Sequence, residues 1–135
     1  LNMNKPSGKP DARRSIGIYG ESEAAAYLLD LGYAILDRNW RCRIGELDIV
    51  ARQDSVIVVI EVRTRRAGGR FGTAVESVDY KKQFRVRSIA EVYLSMNKLH
   101  GSRIRFDVIA ITVKQADSET SAFEVVERRH VEAAF

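Results

Sequence analysis

Asp48 and Glu61 are the residues of this sequence best placed to do chemistry together. They lie in two β-rich runs, residues 44–52 and 56–65, separated by a short polar turn at Asp54-Ser55. Side chains alternate across a strand. In the first run this puts Leu47, Ile49 and Ala51 on one face and Glu46, Asp48, Val50 and Arg52 on the other. In the second, Val58, Ile60 and Val62 share a face, opposite Ile57, Val59, Glu61 and Arg63. Burying the two wholly apolar triplets together sets the register parity, because a slip of one residue would invert a strand. A two-residue turn at Asp54-Ser55 meets that condition. It sets Asp48 directly across from Glu61 and Glu46 across from Arg63. Opposed residues have Cβ atoms about 4.5–5.5 Å apart, and two carboxylates that close repel unless a proton or a cation lies between them. Hard oxygen ligands on rigid strands suit Mg²⁺ or Mn²⁺, with water and phosphate completing the shell. The alternative is that each acid has its own basic partner, such as Arg52 or Arg63.

Glu21 is a third acid. It falls on a helix expected over residues 16–31, at the edge of an apolar stripe formed by Ala24, Ala25, Leu28 and Leu29. A carboxylate there points towards the sheet, either to pair with an arginine or to reach the metal. The basic residues are clustered: Arg63, Arg65, Arg66, Arg70, Lys81, Lys82, Arg85 and Arg87 face only two acids, Glu76 and Asp79, within the same stretch. A clustered basic face suits phosphate, although a solvated charged face would read the same way. The lone Cys42 has no disulfide partner and reads as a strand residue. His100 and His130 are too sparse for a zinc site.

These residues need elements to hold them. The expected order is a helix over 16–31 closed by Gly32, a strand over 33–41, and the two strands above. A flexible loop at Ala67-Gly68-Gly69-Arg70 follows, then a helix capped by Asp79 and running to about Met96, a strand over 103–113 and a last one over 123–129. One mixed sheet flanked by helices fits this order, an α/β fold in a single domain over residues 15–135 behind a flexible leader, residues 1–14. The 135 residues suffice for one core and not two. A net charge of +4 and a pI near 9.4 fit an acidic partner. No apolar run is long enough to cross a bilayer, and the expected setting is cytoplasmic.

The chain resembles the YraN family of small predicted endonucleases, which look like archaeal Holliday-junction resolvases and restriction-endonuclease-like folds. The likeness rests on Gly17-Ile18-Tyr19-Gly20-Glu21, Arg38-Asn39-Trp40, Gly45-Glu46-Leu47-Asp48-Ile49-Val50-Ala51 and Glu61-Val62-Arg63-Thr64-Arg65, with Phe71-Gly72, Glu76-Ser77-Val78, Lys82-Gln83 and Arg105-Phe106-Asp107-Val108. It implies a nuclease core whose helical Glu, strand Asp and Glu-x-Lys strand surround one or two Mg²⁺ ions. Here these are Glu21, Asp48 and Glu61, with the Val62 carbonyl as a further ligand. Arg63 stands where the family pattern usually has lysine. Arginine stays protonated at any useful pH, so Arg63 can stabilise developing charge but cannot act as a base. The implied function is Mg²⁺-dependent hydrolysis of phosphodiester bonds in DNA, selective for a junction, flap or single strand. Arg65, Arg66, Arg70, Lys81, Lys82 and Arg85 would hold phosphates without reading sequence. The alternative is a nuclease fold that binds nucleic acid without cutting it; a third reading is an adaptor whose basic helix meets an acidic protein. Asp107 reads as a salt-bridge partner for an arginine. Resolvase-like proteins often act as homodimers, but no dimer face is legible here.

Overall fold

The computed structural model describes residues 12–68, 78–115 and 122–135. Most of the expected leader, the Gly69-Arg70 part of the expected loop, and Phe71-Gly72 and Glu76 lie outside them. Helix α1 (Ala12–Asp30) begins earlier than its apolar pattern suggests. It stops where Gly32 takes a left-handed backbone (φ 91°). There the Tyr33 and Gly32 N–H groups donate back to the Leu28 and Leu29 carbonyls at 3.0 Å each, satisfying groups that the helix end would leave unpaired.

Strands β1 (Ala34–Cys42), β2 (Gly45–Gln53) and β3 (Val56–Arg66) then form an antiparallel meander with two-residue turns, the second at Asp54-Ser55. Helix α2 (Tyr80–Met96) starts at Asp79, whose carboxylate accepts the Lys82 N–H at 2.9 Å. It carries the chain across one sheet face, so that β4 (Arg103–Gln115) lies parallel to β3; β5 (Phe123–Val131) closes the edge antiparallel. The result is one mixed five-stranded sheet in the order β1-β2-β3-β4-β5 with two helices, the α/β class the pattern anticipates. No helix among the described residues is long and apolar enough to cross a membrane.

A helix covers each face. Under α1, Ala24, Ala25 and Leu28 pack on Ile49, Ala51, Val58, Ile60, Ile109, Ile111 and Val113. Under α2, Val86, Ile89, Ala90 and Tyr93 pack on Leu47, Val50, Ile57, Val59 and Phe106. Leu29, expected in the α1 stripe, is 57% exposed; the buried stripe steps from Ile16 through Gly20 and Ala24 to Leu28, and one residue further is a 100° turn away from the sheet.

Leu47 corrects a second expectation. It lies under α2 with Val50 and not with Ile49 and Ala51. The cause is a paired irregularity in β1 and β2. Asn39 takes a left-handed backbone (φ 53°), a conformation asparagine tolerates better than most residues. On its two sides the strand changes face: Arg38 reaches Ser22 of α1, whereas Trp40 packs under α2. In the β1–β2 ladder Arg38 pairs with Ile49 and Trp40 with Leu47. Asn39 and Asp48 therefore occupy the rung at which both strands turn over.

Helix α1 approaches β3 closely at Gly20. A methyl group there would collide with Thr64, a β-branched side chain with little rotamer freedom. Gly20→Ala is expected to lift the helix from the strand and destabilise the fold by about 1–3 kcal/mol. Urea unfolding would measure it, and an unchanged midpoint would refute a tight contact.

Candidate metal centre

Strands β2 and β3 pair only as far as Ile49 opposite Ile60. One residue beyond, the ladder gives way to a fork with Asp48 on one prong and Glu61 on the other. The face change at Asp48 turns its side chain towards the neighbouring strand, and its Oδ2 accepts the Val62 N–H at 2.9 Å. A side chain thus replaces the backbone carbonyl that a continued ladder would supply. In an extended strand the carbonyl of a residue leaves by the same edge as its N–H, so the Val62 oxygen belongs to the same fork.

Glu61 is 3% exposed and faces α2, where the Lys82 ammonium lies 3.1 Å from its Oε1. Burial first, and the Glu61 charge second, push the Asp48 carboxyl up to about 7, against the opposing pull of the Val62 N–H and the Lys82 ammonium. Here burial and the neighbouring carboxylate outweigh the one N–H and the ammonium that favour the charged form. Glu21, half-buried on α1, is within electrostatic reach. Its pKa is raised by burial and then by the Asp48 charge, while a hydrogen bond with the Asn39 side chain acts the other way. Asn39 therefore turns β1 over and also tethers Glu21.

The other candidates are distributed unevenly. Glu46, expected opposite Arg63, pairs instead with Arg41 at 2.7 Å across the β1–β2 ladder, because β2 and β3 have already parted. Arg63 lies on β3 two residues after Glu61, at the rung of Ala110 in β4. Arg65 is half-buried further along, and Arg66 is exposed at the strand end. Lys81 and Arg85 are exposed on α2, whereas Lys82 turns inward to Glu61. Arg70 lies outside the described residues.

The donor set suits a hard divalent cation. Among the described residues no three His, Cys, Asp or Glu side chains form a ready-made cage. Mg²⁺ seldom needs one: it is commonly held by one or two carboxylates and completed by water and substrate phosphate. Two carboxylates on adjacent strands and a peptide oxygen match that habit, and an ammonium already occupies the cationic place beside Glu61.

A second buried ionic cluster lies on the α1 face, away from the fork. Asp107 is fully buried and takes both Arg105 Nε and Nη2 at 2.8 and 2.9 Å, as the expected arginine partner requires. It also accepts from His130 Nε2 at 2.7 Å and from the Ala133 N–H at 3.0 Å. Tyr27 closes on His130 Nδ1 at 3.1 Å, and Tyr33 on Arg105 at 2.8 Å. Every strong acceptor position of Asp107 is thus in use, and His130 is unavailable as a metal ligand.

Sequence reasoning missed two contributors to the centre and one contact between helix α2 and strand β1. Asn39 carried a signal, an amide in the middle of a strand pattern. Lys82 as partner of Glu61, and the Asp37 carboxylate that accepts the Tyr93 hydroxyl at 2.7 Å beneath α2, carried none, because each joins helix to sheet across a long stretch of chain.

Residues 20–111 match the family described as uncharacterised protein family UPF0102, a span that includes Glu21, Asp48, Glu61, Arg63 and Lys82. A UPF0102 protein of Moorella thermoacetica is 54% identical over 99 residues, covering 73% of this chain and 82% of the relative. One from Rhodococcus opacus is 46% identical over 99 residues, covering 73% and 83%. One from Acidothermus cellulolyticus is 44% identical over 124 residues, covering 84% and 93%.

Proposed function

We propose that this chain, which belongs to uncharacterised protein family UPF0102, is a metal-dependent endonuclease acting on phosphodiester bonds in DNA, and that the pair formed by half-buried Asp48 and buried Glu61 at the β2–β3 fork is its centre. One observation carries the reading. Two carboxylates are held together with the Lys82 ammonium beside Glu61, and Asp48 is driven to about 7 by burial and by its neighbour. An arrangement that disfavours its own ionisation is expected where an external cation completes it.

Asp48, Glu61 and the Val62 carbonyl would hold Mg²⁺ or Mn²⁺, which when bound supplies Lewis-acid activation of water and charge neutralisation at the phosphate. The chain's own residues supply the rest. The Val62 N–H fixes the Asp48 carboxylate in one orientation. Glu21, steadied by Asn39, orients water from the α1 side. Lys82 presents positive charge beside Glu61 where a phosphate would arrive, and Arg63 offers guanidinium hydrogen bonds as charge grows on the phosphoryl oxygens. Arg65, Arg66, Lys81 and Arg85 hold backbone phosphates, which positions the nucleic acid without reading its sequence.

The test is a cleavage assay on duplex, single-stranded, flap and four-way-junction DNA in Mg²⁺, Mn²⁺ and EDTA. Metal-dependent cutting of any of them is expected. No cutting in either metal, together with no Mn²⁺ binding by calorimetry, would overturn the reading.

Arg63 favours a second reading, a binding module that keeps the acids but cuts slowly or not at all. Arg63→Lys decides between them. Lysine at that place can share a proton with the attacking water, so the rate is expected to rise by about 10²-fold, the low end of general-base contributions. No cleavage by either form, with DNA binding retained, would establish the module.

A further inference from the structure

Tyr80 and Phe84 are 88% and 74% exposed, and they stand one turn apart on the outward face of α2. With Ile44 at the tip of the β1–β2 turn, they line a shallow groove whose other walls among the described residues are Lys81, Arg85 and Ser88. Packing does not account for them, since the opposite face of α2 carries its core residues, Val86, Ile89, Ala90, Tyr93 and Leu94. Neither Lys81 nor Arg85 forms an ion pair with a described residue.

We infer that this groove is a stacking platform for single-stranded nucleic acid, delivering an unpaired strand to the fork; the inference rests on the nuclease reading and specifies its substrate. Flat aromatic faces beside isolated cations match an unpaired strand, which offers a π-face at each base and a phosphate between bases. A duplex hides its base faces within the stack. A second copy of the chain is disfavoured by charge, because a two-fold contact through this face would bring Lys81 and Arg85 against their own counterparts. The location is suitable as well. Lys82, next to Lys81 in sequence, contacts Glu61 from the inner side of the same helix. A helix is about 10 Å across, so a base on the outer side is separated from the acids by about the thickness of α2.

Fluorescence anisotropy in EDTA tests this without involving metal or cleavage, using labelled oligothymidine and a duplex of equal length. Both aromatic side chains are exposed, so the double variant Tyr80→Ala, Phe84→Ala will fold. It is expected to bind the single strand about ten- to a hundredfold more weakly and the duplex within about twofold of the parent. The double variant Lys81→Ala, Arg85→Ala should weaken both and lower the salt slope by about two. Parent-like single-strand binding by the aromatic variant would overturn the platform, whether or not the parent cuts DNA. A parent dimer that this variant dissolves in sedimentation would overturn it in favour of a self-contact. Loss of single-strand affinity in the variant with no cleavage by the parent would uphold the platform and reject the nuclease.

Discussion

Asp48→Asn is expected to abolish metal-dependent cleavage and yet leave the protein harder to unfold at pH 8. The first effect should exceed the roughly 10²-fold that even an outer-shell partner of a metal is worth. The second follows from the same carboxyl. An unfolded chain ionises Asp48 near its ordinary value of 3.8, whereas burial and Glu61 delay ionisation in the native protein to about 7. Between those limits the native state keeps a proton that the unfolded state has released, so stability falls as pH rises and levels off above 7. Asparagine can still accept the Val62 N–H but has no charge to suppress, and its advantage should reach about 4 kcal/mol above pH 7 and vanish near pH 4. Mg²⁺ should raise the parent's melting temperature and leave that of the variant unchanged, since only a cation that binds the native state stabilises it. Urea midpoints at pH 5 and pH 8, with and without Mg²⁺, would show both effects. Parallel pH curves for the two proteins would contradict the account of the fork.

The largest loss of stability is expected at the other cluster. Asp107→Ala leaves the Arg105 guanidinium, the His130 ring and the Ala133 N–H without their shared acceptor, and breaking one side of a buried ion pair costs about 3–5 kcal/mol. Burial alone would raise the Asp107 pKa, but hydrogen bonds from His130, Arg105 and Ala133 outweigh it and hold the carboxyl below its ordinary value. Its contribution is therefore complete above the unfolded value near 3.8 and is lost as pH falls through the lower native one. The parent should lose stability in acid over that window, and the variant should lack this limb in urea titrations. The C-terminus should respond too, because Ala134 N–H bonds to the Phe106 carbonyl at 2.7 Å and Phe135 stacks on Phe106 beside Arg87. Earlier proteolytic trimming of that end would report its release; a trimming rate equal to the parent's would separate the tail from the cluster.

The two variants probe what sequence patterns can and cannot convey. Alternation in β3 places Val58 and Ile60 under α1 and Ile57 and Val59 under α2 because that strand stays regular through those positions. The end signals Gly32 and Asp79 were legible for the same kind of reason, since each acts on backbone groups a few residues away. The proximity of Asp48 and Glu61 followed from a two-residue turn and parity alone. Leu47 and Glu46 did not follow, because a left-handed residue in the partner strand reverses faces and no count of apolar positions registers that. The Lys82 contact with Glu61 and the Asp107 network depend on how α2 and the C-terminus dock, which local pattern does not specify.

The shared turnover of β1 and β2 also acts as a key for alignment. A slip of two residues between these strands would keep every side chain on its proper face and would pass unnoticed by ordinary hydrophobic sorting. It would, however, set the reversal at Asn39 against a straight rung and the reversal at Asp48 against another, so that neither strand could follow its neighbour. Only one pairing lets both reverse at once, and it is the pairing that leaves Asp48 beside Val62. The residue proposed to bind metal thus also marks the alignment in which both strands reverse together.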